Sequence, residues 1–345
     1  MRQTEPPVLD GVPDFAGAMA ERVSDLARRF MESRVLLTAA ELDIFTTLGT
    51  HARTAAEVAQ GLGGSVRAAT ILLDTLAAMG FVAKESGVYR LAPGAEALSS
   101  TPPHSILPIV LHAASMWQRW SNLTDVARAQ HPTLHSRNER PPAQLEAFIG
   151  SMHLRALRDA DEVVAAVHPG TARRMIDVGG GPGTYTLAFL RMSPCMRATI
   201  VDLPSVIKIA RRHAEASGLQ HRVQLVAADI ANDPLPSGFD LAFVSAIIHM
   251  NGPDENERLY RKVYDALVPG GRIVIRDHVM TPDHTHPLSG ALFAVNMLVS
   301  TSFGTTYTLD EIAYGLHQAG FIRVNLIRRL EMSSLVEAWR PGDGP

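Results

Sequence analysis

From Arg173 onward, short apolar runs alternate with helical patterns, and this alternation restricts the fold more than any other feature of the chain. Met175 to Val178, Ala198 to Val201, Val223 to Ala227, Leu241 to Ile248 and Arg272 to Ile275 suit strands buried on both faces. Thr184 to Met192, Ser205 to Ser217 and Glu255 to Leu267 separate most of them at helical spacing. Repeated units of this kind predict an α/β fold with a doubly wound, mainly parallel, Rossmann-like sheet. Ile322 to Arg328 and Ser334 to Trp339 are expected as its last two strands. Ligands of such sheets bind beyond the carboxyl ends of the strands, so side chains there become the candidates for chemistry.

A different order precedes it. The chain has 345 residues, more than the roughly 250–300 at which single cores stop growing. Behind a Pro-rich leader, Phe15 to Leu48 places Phe30, Leu37, Leu42 and Phe45 at helical spacing. Thr54-Ala-Ala-Glu57 is a capping-box pattern, Ser65 an N-cap for a helix to Met79, and Val82 to Leu91 two short strands turning at Ser86-Gly87. This is winged-helix order. A DNA reader needs several Lys or Arg on its recognition helix, and Ser65 to Met79 offers Arg67 against Asp74 amid Ala and Leu. Nucleic acid is therefore not the expected partner. Ser105 to Ala129 and Pro142 to Val167 read as further helices around a loop at His131 to Pro142. The expected division is 1–100 for the winged-helix-like domain, 101–168 for a helical linker and 169–345 for the α/β domain.

Composition closes other doors. With 46% hydrophobic and 19% charged residues the chain is of a folding type, and its net charge of -3 gives no bulk support for polyanion binding. Cys195 is the single cysteine, so no internal disulfide and no Cys-based zinc cage can form. The leader, with Pro6, Pro7, Asp10 and Pro13, is unlike a secretory signal, and no apolar stretch approaches the ~18 residues of a membrane span. A cytoplasmic location with no membrane partner is expected.

The most informative segment is Asp177-Val-Gly179-Gly-Gly181-Pro-Gly183, between the first strand of the sheet and a helix. Its third glycine comes one place too early for a dinucleotide fingerprint, and Thr184 stands where that glycine belongs. Glycines let backbone approach a ligand closely, while Asp177 would repel phosphates and suits a cation. S-adenosylmethionine is such a ligand, with an ammonium and a sulfonium but no phosphate. Asp202, ending the second strand, is placed to accept both ribose hydroxyls. Asp229, ending the third, is placed to accept from the adenine amino group while Ile230 covers the ring.

With these residues assembled, the chain resembles the dimeric small-molecule O-methyltransferases of the plant caffeate type and their bacterial relatives in aromatic natural-product pathways. The likeness runs from about Leu36 to the last strand. It rests on Leu42-Asp43-Ile44-Phe45, the glycine segment, Val201-Asp202-Leu203-Pro204, Ala228-Asp229-Ile230 and Leu267-Val-Pro-Gly-Gly271. The resemblance implies a class I methyltransferase fold, S-adenosyl-L-methionine as cofactor with S-adenosyl-L-homocysteine as product, and a homodimer built through the amino-terminal domain. It further implies that Met152 and Arg155 lie near the methionine end of the cofactor, with Leu203 and Ser245 also on the cofactor side.

His249 follows the fourth strand at the ligand edge, where a residue titrating near neutrality suits a general base. In the family a histidine here deprotonates the acceptor hydroxyl, and Asp277, after the fifth strand, could hold its tautomer. His278 is a weaker candidate. Two departures stand out: Met250-Asn251-Gly252 follows the histidine where the family has Asp-Trp, and Thr306 stands where the plant enzymes carry a glutamate. Met116, Trp120, Met152, Met250, Phe293, Asn296 and Met297 are expected to line a pocket for a flat, apolar acceptor, with Asn296 as its main polar contact. Asp283-His284-Thr-His286 reads as a polar loop, and no metal is expected. Alternatives are an N- or C-methyltransferase, an enzyme that keeps the cofactor for another reaction, and a winged-helix regulator sensing a small ligand.

Overall fold

The computed structural model describes residues 14–102, 104–128, 141–329 and 334–342. It divides into two compact units between Ala114 and Ser115. That division falls inside a helix, so most of the expected linker, 101–168, belongs to the second unit.

The first unit contains α1 (Asp14–Arg28), α2 (Phe30–Glu41), α3 (Ile44–Leu48), β1 (Arg53–Thr54), α4 (Ala55–Leu62), α5 (Val66–Ala78), β2 (Val82–Glu85) and β3 (Val88–Leu91). Its core is Leu37, Ile44, Phe45, Leu48, Val58, Leu73 and Leu76, all buried. Thr54 and Glu57 make both hydrogen bonds of the capping box, and the Ser65 hydroxyl accepts from the Ala68 amide to start α5. The wing has three strands in the order β1-β3-β2, one more than the sequence predicts, because Arg53 and Thr54 pair with Tyr89 and Val88. Met19, Val23 and Leu26 on α1 are more than half exposed.

Beyond α6 (Leu107–Trp120), the second unit comprises α7 (Leu123–Arg128), α8 (Pro142–Ala156), α9 (Ala160–Val167), β4 (Arg174–Val178), α10 (Thr184–Met192), β5 (Arg197–Asp202), α11 (Pro204–Ala216), β6 (Val223–Ala227) and β7 (Phe239–Ser245). It continues with α12 (Pro253–Ala266), β8 (Leu267–Asp277), β9 (Val279–Met280), α13 (Leu288–Leu298), β10 (Tyr307–Thr308), α14 (Leu309–Gln318), β11 (Ile322–Arg328) and β12 (Ser334–Trp339). Seven of these strands form one sheet in the order β11-β12-β8-β7-β4-β5-β6. The five from β8 to β6 run parallel, and β12 and β11 close one side antiparallel. Ile176, Val178, Val244 and Ile273 face Leu259 and Val263 of α12, while Met175, Phe243 and Val274 face Val163 and Val164 of α9 and Phe189 of α10. Continuous apolar runs are what a sheet covered on both faces requires.

Several boundaries differ from the sequence reading. The fourth strand of the sheet stops at Ser245 rather than Ile248, since Ala246 takes a left-handed φ of 58° and turns the chain out of the ladder. Ile247 and Ile248 keep the run apolar because they are buried in the core under that turn. The segment from Ser105 to Ala129 forms two helices, broken at Ser121-Asn122, and that from Pro142 to Val167 breaks around Asp159. The Asp159 carboxylate accepts hydrogen bonds from the Tyr185 hydroxyl and the Arg276 guanidinium, which draws the break toward the sheet. Asp229 lies two residues beyond β6, and Asp277 is the last residue of its strand. The leader to Pro13 and most of the His131 to Pro142 loop lie outside the described residues. Among the described residues no helix is long and apolar enough to cross a membrane.

Candidate active site

Parallel pairing sets Val178 beside Val201 and Val244, so β4, β5 and β7 end at a common edge. The glycine segment leaves β4 there. Gly179 has φ 70°, and a Cβ on it would run into the Ile247 side chain. Gly181, with φ 56°, is the opposite case: a Cβ on it would meet nothing within 4 Å, which leaves the loop open to a ligand above it. The Gly181 amide donates to Asp202 Oδ2 at 2.8 Å and the Leu203 amide to Oδ1 at 2.7 Å. Asp202 is thereby aimed with lone pairs remaining on both oxygens. Burial pushes its carboxyl above the ordinary value, against the pull of those two amides.

Asp177 is only 2% exposed and lies beneath Gly180, accepting from the Thr186 hydroxyl. Its Oδ1 is buried without a hydrogen-bond partner. Burial, opposed by Thr186 and helped by the Asp202 charge, pushes its carboxyl up to about 7. Asp229 sits on its own tight turn, accepting from the Ala231 amide at 3.0 Å and the Asn232 side chain at 2.9 Å. Ile230 packs against the core beside it, and Ser245 is half-buried at the end of β7. Met152 is half-buried and Arg155 exposed on α8.

His249 lies on a short 3₁₀ turn after β7 and is 7% exposed. Its Nδ1 is 2.8 Å from Asp277 Oδ1. Burial alone would raise the Asp277 carboxyl, but the His249 imidazole, His278 and the His278 amide outweigh it and hold the group below the usual carboxylate value. An ionised carboxylate only accepts, so Nδ1 of neutral His249 carries the proton and Nε2 is left with the free lone pair. His278, stacked on Phe293 at 4.4 Å, is held down to about 4 by burial and stays neutral at physiological pH.

The altered motif after His249 has its own supports. The Asn256 side chain on α12 donates to the Ile248 carbonyl at 2.9 Å and accepts from Asn251 at 3.0 Å, while the Tyr307 hydroxyl donates to the Asn251 carbonyl. All three side chains are buried, so the turn is clasped from α12 and β10 without the family's Asp-Trp. Thr306 is 1% exposed and supplies no carboxylate, which leaves Asp277 as the acid in contact with His249.

On the expected acceptor side, Phe293 of α13 meets the His249 ring edge-on at 4.7 Å. Asn296 Oδ1 accepts from the Trp120 indole N–H at 3.0 Å. Met116 lies one turn before Trp120 on α6, Met250 follows His249, and Met297 is buried. The sequence reading missed His153, whose Nδ1 is 2.8 Å from the Thr184 hydroxyl and whose ring packs on His213 at 4.3 Å. This contact joins α8, carrying Met152, to the start of α10 after the glycine loop. Its one signal was position, between two residues already marked by the resemblance. The Asp283 loop accepts from Thr281 and Thr285, and among the described residues no group of three or more His, Cys, Asp or Glu could hold a metal ion.

Comparison with known proteins decides the family. An O-methyltransferase domain profile matches residues 130–322, more than half of the chain. The chain belongs to the O-methyltransferase family. The family's dimerisation domain matches residues 24–101. The chain is 31% identical over 324 residues to the 3-hydroxy-5-methyl-1-naphthoate 3-O-methyltransferase of Streptomyces sahachiroi, covering 89% of this chain and 90% of that one. It is 26% identical over 317 residues to the S-adenosyl-L-methionine-dependent methyl transferase PigF of a Serratia species, covering 86% and 89%. Among solved structures, an O-methyltransferase family protein from Burkholderia thailandensis superposes with a TM-score of 0.84 at 26% identity, covering 94% of this chain and 99% of that one.

The methyltransferase site fits S-adenosylmethionine on its own evidence. An open cradle at Gly181, a part-buried carboxylate aimed by two amides and an orphaned acidic oxygen below them suit a hydroxyl-bearing cation without phosphate. The buried acid also has a measurable signature. Between the unfolded value of a carboxyl, about 4, and the folded value of Asp177, about 7, the folded chain keeps a proton that the unfolded chain has lost. Stability from this group is present at low pH and falls by up to about 1.4 kcal/mol per pH unit across that window. Asp177→Asn abolishes the titration, so its unfolding free energy without cofactor, measured in urea, should fall less steeply than wild type between pH 5 and 7. Parallel profiles would contradict a protonated buried Asp177.

Proposed function

We propose that this chain methylates a hydroxyl of a small aromatic natural-product-like acceptor, with S-adenosylmethionine as donor and His249 as general base. The observation that carries the reading is the His249 Nδ1 contact with Asp277, which frees Nε2 for a proton. Asp277 holds the imidazole in that tautomer and stabilises the imidazolium once Nε2 has taken the hydroxyl proton. S-adenosylmethionine supplies an electrophilic methyl on a sulfonium, attacked in line by the acceptor oxygen. Alignment is the chain's other task. Asp202 holds the ribose hydroxyls, Asp229 and Ile230 take the adenine, and Gly179 and Gly181 allow close backbone approach. Met152 and Arg155 guard the methionine end, with Leu203 and Ser245 flanking the cofactor. The names of two relatives, a 3-hydroxy-5-methyl-1-naphthoate 3-O-methyltransferase and a mitomycin biosynthesis 6-O-methyltransferase, support an aromatic natural-product acceptor and a role in secondary metabolism, and a cytoplasmic location is part of the same proposal.

The amino-terminal unit serves a homodimer in this reading, supported by its dimerisation-domain match and the exposed apolar stripe on α1. Such a stripe at i, i+4 and i+7 is what a partner helix or sheet would cover. Sedimentation of the intact chain should give a dimer, and Val23→Glu combined with Leu26→Glu should shift it toward monomer. A wild-type monomer at micromolar concentration would end the dimer assignment.

Calorimetry tests the cofactor: Asp202→Ala should weaken S-adenosylmethionine by about 1.5–3 kcal/mol, because two ribose hydroxyls lose a charged acceptor. Unchanged affinity would remove Asp202 from the site. For the base, His249→Ala should leave cofactor affinity nearly unaltered while turnover falls ~10²–10⁴-fold at neutral pH. That loss should shrink as pH approaches the phenol's own pKa, where the acceptor is already ionised. A structural histidine would instead give a pH-independent loss with a lower melting temperature, so the profile of rate against pH separates the two.

A further inference from the structure

Asn296 is a primary amide on an otherwise apolar helix, Leu288-Ser-Gly-Ala-Leu-Phe-Ala-Val-Asn-Met-Leu298, and it is only 8% exposed. Burying such a group is unfavourable unless its donors and acceptor find partners. One end is settled. The Trp120 indole N–H can only donate, so the amide atom 3.0 Å from it is the oxygen, and the orientation of the amide follows. Trp120 lies on α6 and Asn296 on α13, 176 positions apart in sequence, so the contact also ties the two helices at this point. The other end, Nδ2, keeps two N–H donors that no acceptor among the described residues takes up.

The neighbour on the same helix says what those donors face. Phe293 is three residues before Asn296, which places the two side chains on one side of α13, roughly 5–6 Å apart at Cβ. The Phe293 ring meets His249 edge-on at 4.7 Å and stacks on His278 at 4.4 Å. The stretch of α13 that covers the base therefore continues directly to an oriented, unpaired pair of donors. His278 is neutral and the Asp277 carboxylate is engaged with His249, so Asn296 brings a hydrogen-bond donor without charge.

We propose that Asn296, oriented by Trp120, selects acceptors that carry a second oxygen, a carbonyl of ketone, quinone or carboxylate type, on the ring system about one helical turn from the hydroxyl that His249 deprotonates. This rests on the methyl-transfer reading and narrows its substrate class from aromatic hydroxyls in general to hydroxyaryl carbonyl compounds. Asn296 is the recognition residue. Trp120 is a positioning residue, acting through the amide. The selection works because an acceptor without the second oxygen leaves a buried amide donor unpaired, whereas a plain apolar lining would discriminate far less.

The test compares a hydroxynaphthoquinone with the naphthol of matching hydroxyl position, by dissociation constants measured in the presence of S-adenosylhomocysteine, together with the split of kcat and KM on each. Wild type should bind the quinone about tenfold or more tighter. Asn296→Leu should erase that ratio by weakening the quinone far more than the naphthol, with S-adenosylhomocysteine affinity near wild type. Asn296→Asp keeps shape and the Trp120 hydrogen bond but replaces the donors by an acceptor, so it should fall below Asn296→Leu on the quinone, and it guards against a leucine variant that folds poorly. Trp120→Phe keeps an aromatic ring and removes the N–H, and it should lower the ratio by weakening the quinone more than the naphthol. A wild-type ratio near one, or an equal loss on both ligands in the Asn296 variants, overturns the proposal while leaving methyl transfer intact. A wild type that binds no S-adenosylhomocysteine and methylates no phenol overturns the methyl-transfer reading and this proposal with it.

Discussion

Parallel registration of β4 with β5 on one side and β7 on the other is the constraint from which the site follows. It brings Val178, Val201 and Val244 to one level. The residues next in sequence must then leave the sheet at one edge, and these are the glycine loop, Asp202 with Leu203, and the turn that carries His249. Register is well specified because these strands are buried on both faces, so a slip would move every apolar side chain out of its contacts. β8, pairing with β7 through Ser245 and Arg276, sets Asp277 beside the departing chain. The His249–Asp277 pair is thus a consequence of sheet order and is made between residues 28 positions apart in sequence, with α12 and β8 between them.

The electrostatics of that edge fall into two halves. On one side, Asp177 and Asp202 are both raised by burial. On the other, Asp277 is lowered despite burial because two imidazoles stand against it. Acids of one type are thus pushed apart by their surroundings. Thr186 and Gly180 pack on Asp177, while Asn256 and Tyr307 hold the turn that carries His249.

Much of this was legible in the residues. The α/β alternation, the Thr54-Glu57 cap and the placement of Asp202 and His249 at the carboxyl edge of the sheet were readable because each depends on local pattern or on strand ends. Boundaries fared worse where an apolar run had a cause other than a strand: Ile247 and Ile248 are buried by a turn, and no periodicity distinguishes the two. His153 was passed over since a lone histidine on a helix gives no sign of a hydroxyl 31 positions away. The single break in the 142–167 helical pattern was also invisible, because its cause, Asp159 reaching Tyr185 and Arg276, lies outside the segment.

By itself, then, the sequence determined the class of fold, the family's cofactor, and the absence of a carboxylate at Thr306, all of which depend on residue type and short-range spacing. Tertiary structure alone decided which nitrogen of His249 is free, that Asp177 is sealed with an unpartnered oxygen, how Asn251 and Asn256 replace a missing motif, and which way the Asn296 amide faces. These depend on hydrogen-bond partners supplied from distant segments. Such partners are selected by packing of the whole sheet and its helices, and local spacing carries no record of them.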